Sequence, residues 1–185
     1  MTVSPNRLVA AVDLGTTKVA AVIAEVQGES RAPTARILGL GVERCNGVRR
    51  GVVRGIEETT RAISKAMKDA ERMAGVEIDS VHLGLSGPHI KGFNSRGVIA
   101  VAGKNREITR DDVRRAIDAA KAVSLPTGRE ILHVLPQDFV VDEQDGIGAP
   151  VGMMGSRLEV NVHIITGSQT ATQNIVACVN RAGVT

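Results

Sequence analysis

The chain reads as a mixed α/β (α+β) protein, a mixed-sheet domain carrying a small inserted α+β subdomain, and three observations point there. Apolar residues make up 43% of the 185 positions, yet Phe93 and Phe139 are the only aromatics. The core must therefore come from Val, Ile, Leu and Ala, as in sheets covered by helices. Three strand-like runs joined by short polar turns precede the first helix-period segment. After Pro88 the pattern changes to short strands, one capped helix and a Gly/Pro-rich stretch that form a compact body of their own.

Residues 8–13 form a continuous apolar run ending in an acid, followed by Gly-Thr-Thr-Lys and a second apolar run at 19–26. This is a strand, a tight turn and a strand. Residues 36–43 supply a third strand, whose Gly39 and Gly41 mark a kink or a close backbone approach. In 55–74, Ile56, Thr59, Ile63, Met67, Ala70 and Met73 recur at steps of three and four, an amphipathic helix. Gly75 stops it. Residues 81–85 give a fourth strand, closed by Ser86-Gly87-Pro88. The order β-β-β-α-β has one crossover helix, which makes the sheet mixed.

A short strand follows at 98–102, then the turn Gly103-Lys104-Asn105. Thr109 can cap a helix whose first-turn acids, Asp111 and Asp112, suit the macrodipole. Val113, Ala116, Ile117 and Ala120 are its buried stripe. Residues 130–135 and 138–141 read as two strands interrupted by Pro136. Residues 157–166 alternate (Leu158, Val160, Val162, Ile164) and read as a strand leading back to the first domain. A helix at 169–181 presents Ile175, Val179 and Ala182 on one face. The expected division is 1–86, 87–156 and 157–185, and a parallel-sheet architecture calls for a further strand after that helix.

Composition excludes several functions. The near-absence of aromatics argues against modules that stack nucleic-acid bases. A formal charge of +3 says little about partners. Arg44, Arg49, Arg50 and Arg54 form a basic run, either a solvated turn or an anionic-surface contact. Cys45 and Cys178, far apart and outside any C-x-x-C, suit a reduced cytosolic protein. His82, His89, His133 and His163 lack metal-ligand spacing. Residues 1–7 lack a signal-peptide pattern, and no stretch approaches the ~20 apolar residues of a membrane span.

The sharpest local signal is Asp13-Leu14-Gly15-Thr16-Thr17-Lys18. Such a turn can aim backbone N–H groups and two hydroxyls into one concavity that holds phosphate oxygens. Gly15 lets the backbone approach a ligand, Lys18 offers a point charge, and Asp13 can reach Mg²⁺ directly or through water. A plain hairpin with a polar turn fits the same spacing.

With the β-β-β-α-β order behind it, this segment resembles the first phosphate motif of the actin, sugar-kinase and Hsp70 superfamily. Further along, Val81-His82-Leu83-Gly84-Leu85-Ser86-Gly87-Pro88-His89-Ile90 is similar to the passage at which FtsA proteins leave their first subdomain. Ile131-Leu132-His133-Val134-Leu135-Pro136-Gln137-Asp138-Phe139 resembles their inserted subdomain, with Gly146-Ile147, Pro150-Val151-Gly152-Met153-Met154-Gly155, Arg157-Leu158-Glu159-Val160 and His163-Ile164-Ile165-Thr166. The resemblance implies an incomplete actin-like ATPase subdomain with an FtsA-type insertion.

It further implies ATP and Mg²⁺ as ligands, with Asp13, Gly15, Thr16, Thr17 and Lys18 at the phosphates. Hydrolysis in the family is weak or absent, so no residue is assigned as a catalyst. The implied partners are FtsZ, later division proteins such as FtsN through the insertion, and further copies in a polymer. Nucleic acid is not among them. The implied location is the cytoplasmic face of the inner membrane at midcell, reached through a C-terminal helix. The second phosphate motif, the adenosine-binding segment, the FtsZ-binding subdomain and that helix belong to family segments beyond Thr185. This chain alone is therefore expected to bind ATP weakly or not at all, and to expose an apolar patch and a free sheet edge that favour aggregation. Two alternatives share the superfamily motif. A sugar- or acetate-kinase-like phosphotransferase needs a catalytic acid and a sugar pocket, for which the insertion offers no constellation. The pilus-assembly relative of FtsA carries a similar insertion, although the block 150–160 favours the division branch.

Overall fold

The computed structural model describes residues 7–28, 34–103 and 105–185, in two compact units. Lys104, part of the turn expected at 103–105, lies outside the described residues, as do residues 1–6.

The first unit comprises Met1–His89 and Gln169–Thr185. Its sheet contains β1 (Arg7–Leu14), β2 (Lys18–Gln27), β3 (Thr34–Arg44) and, after the short pair β4 (Val48–Arg49) and β5 (Val52–Val53) and the helix α1 (Ile56–Ala74), β6 (His82–Gly84). The order is β3-β2-β1-β6, with β1 and β2 antiparallel, β2 and β3 antiparallel, and β1 parallel to β6. This is the mixed sheet that the β-β-β-α-β order predicts. Alternation along β1 and β2 sends Val12, Leu14, Val19, Ala21 and Ile23 to one face, where α1 covers them with Ala62, Ile63, Ala66, Met67 and Ala70. Gly75, at φ 71°, ends α1 and donates its N–H to the Glu71 carbonyl at 2.8 Å, the stop its position predicts.

Gly39 and Gly41 mark a close approach. A Cβ on Gly41 would sit 1.9 Å from the Ala66 carbonyl oxygen, and one on Gly39 2.1 Å from that of Ala70. The helix backbone rests directly on the strand backbone, which is how a core without large rings is kept dense. The opposite face of the sheet is open, with Leu40 and Val42 each 49% exposed and Ile37, near the outer edge of β3, 67% exposed. Among the described residues β3 thus presents exposed apolar side chains on this face and lies at the edge of the sheet.

In the second unit, Ile90–Ser168, β7 (Lys91–Ala100), α2 (Arg110–Lys121), β8 (Arg129–Val141), β9 (Gln144–Ile147) and β10 (Arg157–Ser168) form an antiparallel sheet of order β7-β10-β8-β9. Thr109 caps α2 in a reciprocal box with Asp112, as its sequence signals. Gly97 repeats the close approach, since a Cβ there would lie 2.0 Å from the Ala116 carbonyl oxygen.

Three expectations are corrected. Residues 157–168 do not return to the first unit: β10 pairs with β7 on one side and β8 on the other, and Leu158, Val160, Val162 and Ile164 are buried in the second unit's core. The alternation that marks a strand says nothing about which sheet it joins. The division therefore falls at 89/90 and 168/169, in place of 86/87 and 156/157, and the return consists of α3 (Gln169–Arg181) and the residues after it. Residues 129–141 form one strand through Pro136, because a register shift opposite Asn161 and Val162 leaves Gln137 unpaired and absorbs the irregularity. The strand expected at 98–102 begins seven residues earlier, at Lys91.

α3 buries Ile175, Cys178 and Val179 in the first unit's core. Beyond it, Thr185 donates its N–H to the Asp79 carbonyl at 2.9 Å and accepts from the Val81 N–H at 2.8 Å. That is the hydrogen-bonding pattern of a parallel ladder, laid alongside the start of β6.

Candidate functional site

The turn at residues 13–18, where the sequence suggests a site, lies where the carboxyl ends of two parallel strands run side by side. β1 ends at Leu14 and β6 at Gly84, with Asp13 opposite Gly84. In open sheets of this kind ligands bind beyond the carboxyl ends of parallel strands. The turn is closed by the Gly15 N–H donating to the Lys18 carbonyl at 2.9 Å, and a Cβ on Gly15 would lie 3.0 Å from that oxygen. A Cβ on Gly84 would lie 3.3 Å from Asp13 Oδ1, so the glycine leaves room for the carboxylate.

Four of the five predicted side groups face solvent or a loop. Asp13, Thr16, Thr17 and Lys18 are exposed and Gly15 is half-buried. Among the described residues, Asp13 and Lys18 form no ion pair, and the N–H groups of Thr16 and Thr17 have no partner. The Thr17 carbonyl is held by the Cys45 N–H at 3.1 Å, and Thr16 Oγ1 accepts from the Arg50 N–H at 3.4 Å. Both contacts fix the turn while leaving the hydroxyl protons to donate. The turn thus collects two amide donors, two hydroxyls and an ammonium, with one carboxylate beside them. That donor set fits an anion bearing several oxygens, with a divalent cation as its companion.

Tertiary structure adds residues that the motif alone did not include. Arg44 stands directly opposite Lys18 across β2 and β3, and both project to the face of the sheet that carries Asp13. Like charges in that position repel unless an anion lies between or near them. The basic run noted in the sequence therefore places one cation beside the turn. Arg50 contributes its backbone: with Gly51 it forms a two-residue hairpin between β4 and β5, at φ 51° and 73°. Positive φ at both positions is the type I′ turn that two-residue hairpins favour. This turn is wedged against residues 86–89, where a Cβ on Gly51 would lie 1.7 Å from the Ser86 carbonyl oxygen. The signal in the sequence was the Arg-Gly pair. Its nearness to Thr16 was not legible, because it depends on how β4 and β5 fold back.

The remaining polar residues scatter. His82 lies on β6, His133 on β8, and His163 shares a 2.7 Å hydrogen bond with Asn94. Among the described residues no three His, Cys, Asp or Glu side chains gather as a metal site would require. Cys45 and Cys178 are free and fully buried in the first unit, and burial raises the Cys178 thiol above its ordinary range. No helix among the described residues is long and apolar enough to cross a membrane.

Known proteins resemble the chain in both sequence and fold. Residues 87–166 match the family described as the SHS2 domain inserted in FtsA. The cell division protein FtsA of Borreliella burgdorferi is 47% identical over 178 residues, 96% of this chain and 42% of that protein. FtsA of Pseudomonas aeruginosa is 39% identical over 181 residues, 98% of this chain and 42% of that protein. FtsA of Escherichia coli is 36% identical over 178 residues, 96% and 41%. The chain thus spans about two fifths of the length of these relatives. Among solved structures, the PilM–PilN type IV pilus biogenesis complex matches with a TM-score of 0.61 at 14% identity, covering 97% of this chain and 46% of that one. That likeness concerns the fold alone: an actin-like mixed sheet with its insertion, the class read from the sequence.

Proposed function

The chain belongs to the FtsA family of cell-division proteins, and from that premise we propose that it serves an ATP-dependent division scaffold rather than an enzyme. The observation that supports this reading is the donor set at residues 13–18, open at the carboxyl ends of β1 and β6. In this reading the Thr16 and Thr17 amides and hydroxyls and the Lys18 ammonium hold phosphate oxygens of ATP. Asp13 holds Mg²⁺, directly or through water. The nucleotide supplies concentrated negative charge, which relieves the opposition of Lys18 and Arg44.

The second unit serves as the recruiting module, meeting later division proteins such as FtsN and neighbouring copies in a polymer. The links to FtsZ and to the cytoplasmic face of the membrane reside in parts of the family that this chain does not span. The 47% identity to a division protein favours this branch over the pilus-assembly relative, which shares the fold at 14%.

One wall of a cleft leaves most of a nucleotide exposed, so this chain should bind Mg·ATP with a dissociation constant of about 1 mM or weaker. Calorimetry that returned a micromolar value would contradict that. The donor assignment is tested separately by amide NMR. Millimolar Mg·ATP should shift the Gly15–Lys18 amides, and Thr16→Ala with Lys18→Ala should abolish the shifts. Shifts confined to other residues would sink the assignment.

A further inference from the structure

Away from the phosphate turn, α1 carries a second charged feature that the nucleotide reading does not use. Glu57, Thr60, Arg61, Ser64, Lys65 and Lys68 line a groove of about 540 Å³, completed by Arg181 at the end of α3. Their spacing of three and four places them on one stripe of the helix. All four cations are exposed.

The imbalance of charge arises because three of the four acids of α1 are occupied elsewhere. Glu58 accepts the Asn46 N–H at 3.1 Å, Glu71 accepts the Ile78 N–H at 2.9 Å, and Asp69 pairs with Arg72 at 2.9 Å. Lys65 pairs with Glu43 across to β3 at 2.6 Å. Among the described residues, Arg61, Lys68 and Arg181 have no acidic partner, and Glu57 is the lone acid in the lining. At 1.5 Å per residue the stripe from Glu57 to Lys68 runs about 16 Å, the length of roughly five residues of extended chain. Cations about one turn apart along it match carboxylates on every second residue of such a strand. The groove is open, and its lining residues include no aromatic or wholly aliphatic side chain on which a base or an acyl chain could rest.

We propose that the α1–α3 groove docks a short acidic peptide segment of a protein partner, with Arg61, Lys68 and Arg181 as its charged contacts. This reading is independent of nucleotide binding at residues 13–18.

The probe is a fluorescein-labelled octapeptide of alternating Asp and Ala, titrated against the whole chain by anisotropy at about 50 mM and about 300 mM salt. Saturable binding that weakens with salt is expected. Arg61→Glu with Lys68→Glu should weaken it about tenfold or more at low salt. Arg110→Glu with Arg114→Glu, the same change of charge on α2, should alter it less than about twofold. The neutral pair Arg61→Gln with Lys68→Gln, which leaves helix propensity intact, should weaken it about threefold or more. Absence of saturable binding, equal loss in the two reversal pairs, or binding unchanged by both groove pairs each overturns the proposal. So does groove-dependent binding to phosphatidylglycerol vesicles with no binding of the peptide, which would identify the surface as a lipid contact.

Discussion

Replacing Gly41 by Ala tests how the first unit is packed, because two effects of opposite sign compete at that position. No positive φ holds Gly41, so the added methyl would on its own stabilise the protein by about 0.4–1 kcal/mol through the unfolded chain. Against this, the new Cβ would lie 1.9 Å from the Ala66 carbonyl oxygen, 2.8 Å from its carbon and 3.0 Å from the Ala70 nitrogen. Ordinary contact begins near 3.4 Å, so α1 must withdraw by about 1.5 Å. The obstruction is helix backbone, which no rotamer change relieves. Withdrawal loosens Ile63, Ala66, Met67 and Ala70 from β1 and β2, and overpacking of this kind costs about 1–3 kcal/mol or more. The net expectation is a loss of about 2 kcal/mol, read as a midpoint near 1 M lower in urea for a slope of about 2 kcal/mol/M. Gly148 provides the control: it has no neighbour within 4 Å and no positive φ, so Gly148→Ala should be neutral or slightly stabilising. If Gly41→Ala also left the midpoint unchanged or raised it, the direct seating of α1 on β3 would be wrong.

Other consequences follow from the polar contacts. Thr109→Ala removes the cap of α2 and should cost the second unit about 1 kcal/mol in denaturant melts. The hydrogen bond from the Thr109 hydroxyl, then that from its N–H, holds the Asp112 carboxyl below its ordinary range. Its stabilisation is therefore complete above the unfolded value of about 3.9 and disappears as pH falls through the lower folded value. Asp112→Asn should flatten that part of the acid limb in melts run from pH 5 downward. Glu159 is buried on β10 and pairs with Arg157 at 3.1 Å and with Arg96. Removing both arginines strands a buried charge and should cost about 3–5 kcal/mol, whereas Glu159→Leu should cost much less. The reverse ranking in urea melts would count against the pairing. Cys45 and Cys178 should resist thiol reagents in the native protein and react at the rate of unfolding, because both are buried and burial keeps the Cys178 thiol protonated. Rapid native labelling would show that the core around α3 opens.

The elements whose identity rests on local physics were legible in the residues. The switch from period two to period three and four placed α1, Gly75 stopped it, and Thr109 with Asp112 marked the start of α2. An acid at the end of a buried strand followed by Gly-Thr-Thr-Lys marked the tight turn between β1 and β2. These signals depend on neighbours a few residues away, whose geometry the chain fixes wherever it lies in the fold.

What the residues left open was decided by partners distant in sequence. Strand alternation in residues 157–168 gave the faces of β10 but could not say that it would lie between β7 and β8. Arg44 belonged to a basic run until the β2–β3 register set it opposite Lys18, and Arg50 gained its contact with Thr16 only when β4 and β5 folded back. The excess of cations in the α1 groove emerged in the same way, once three of the four acids of that helix had been committed to Asn46, Ile78 and Arg72. Periodicity fixes which side of an element is buried. Which other element it meets is a long-range choice, made by the summed packing of the whole unit.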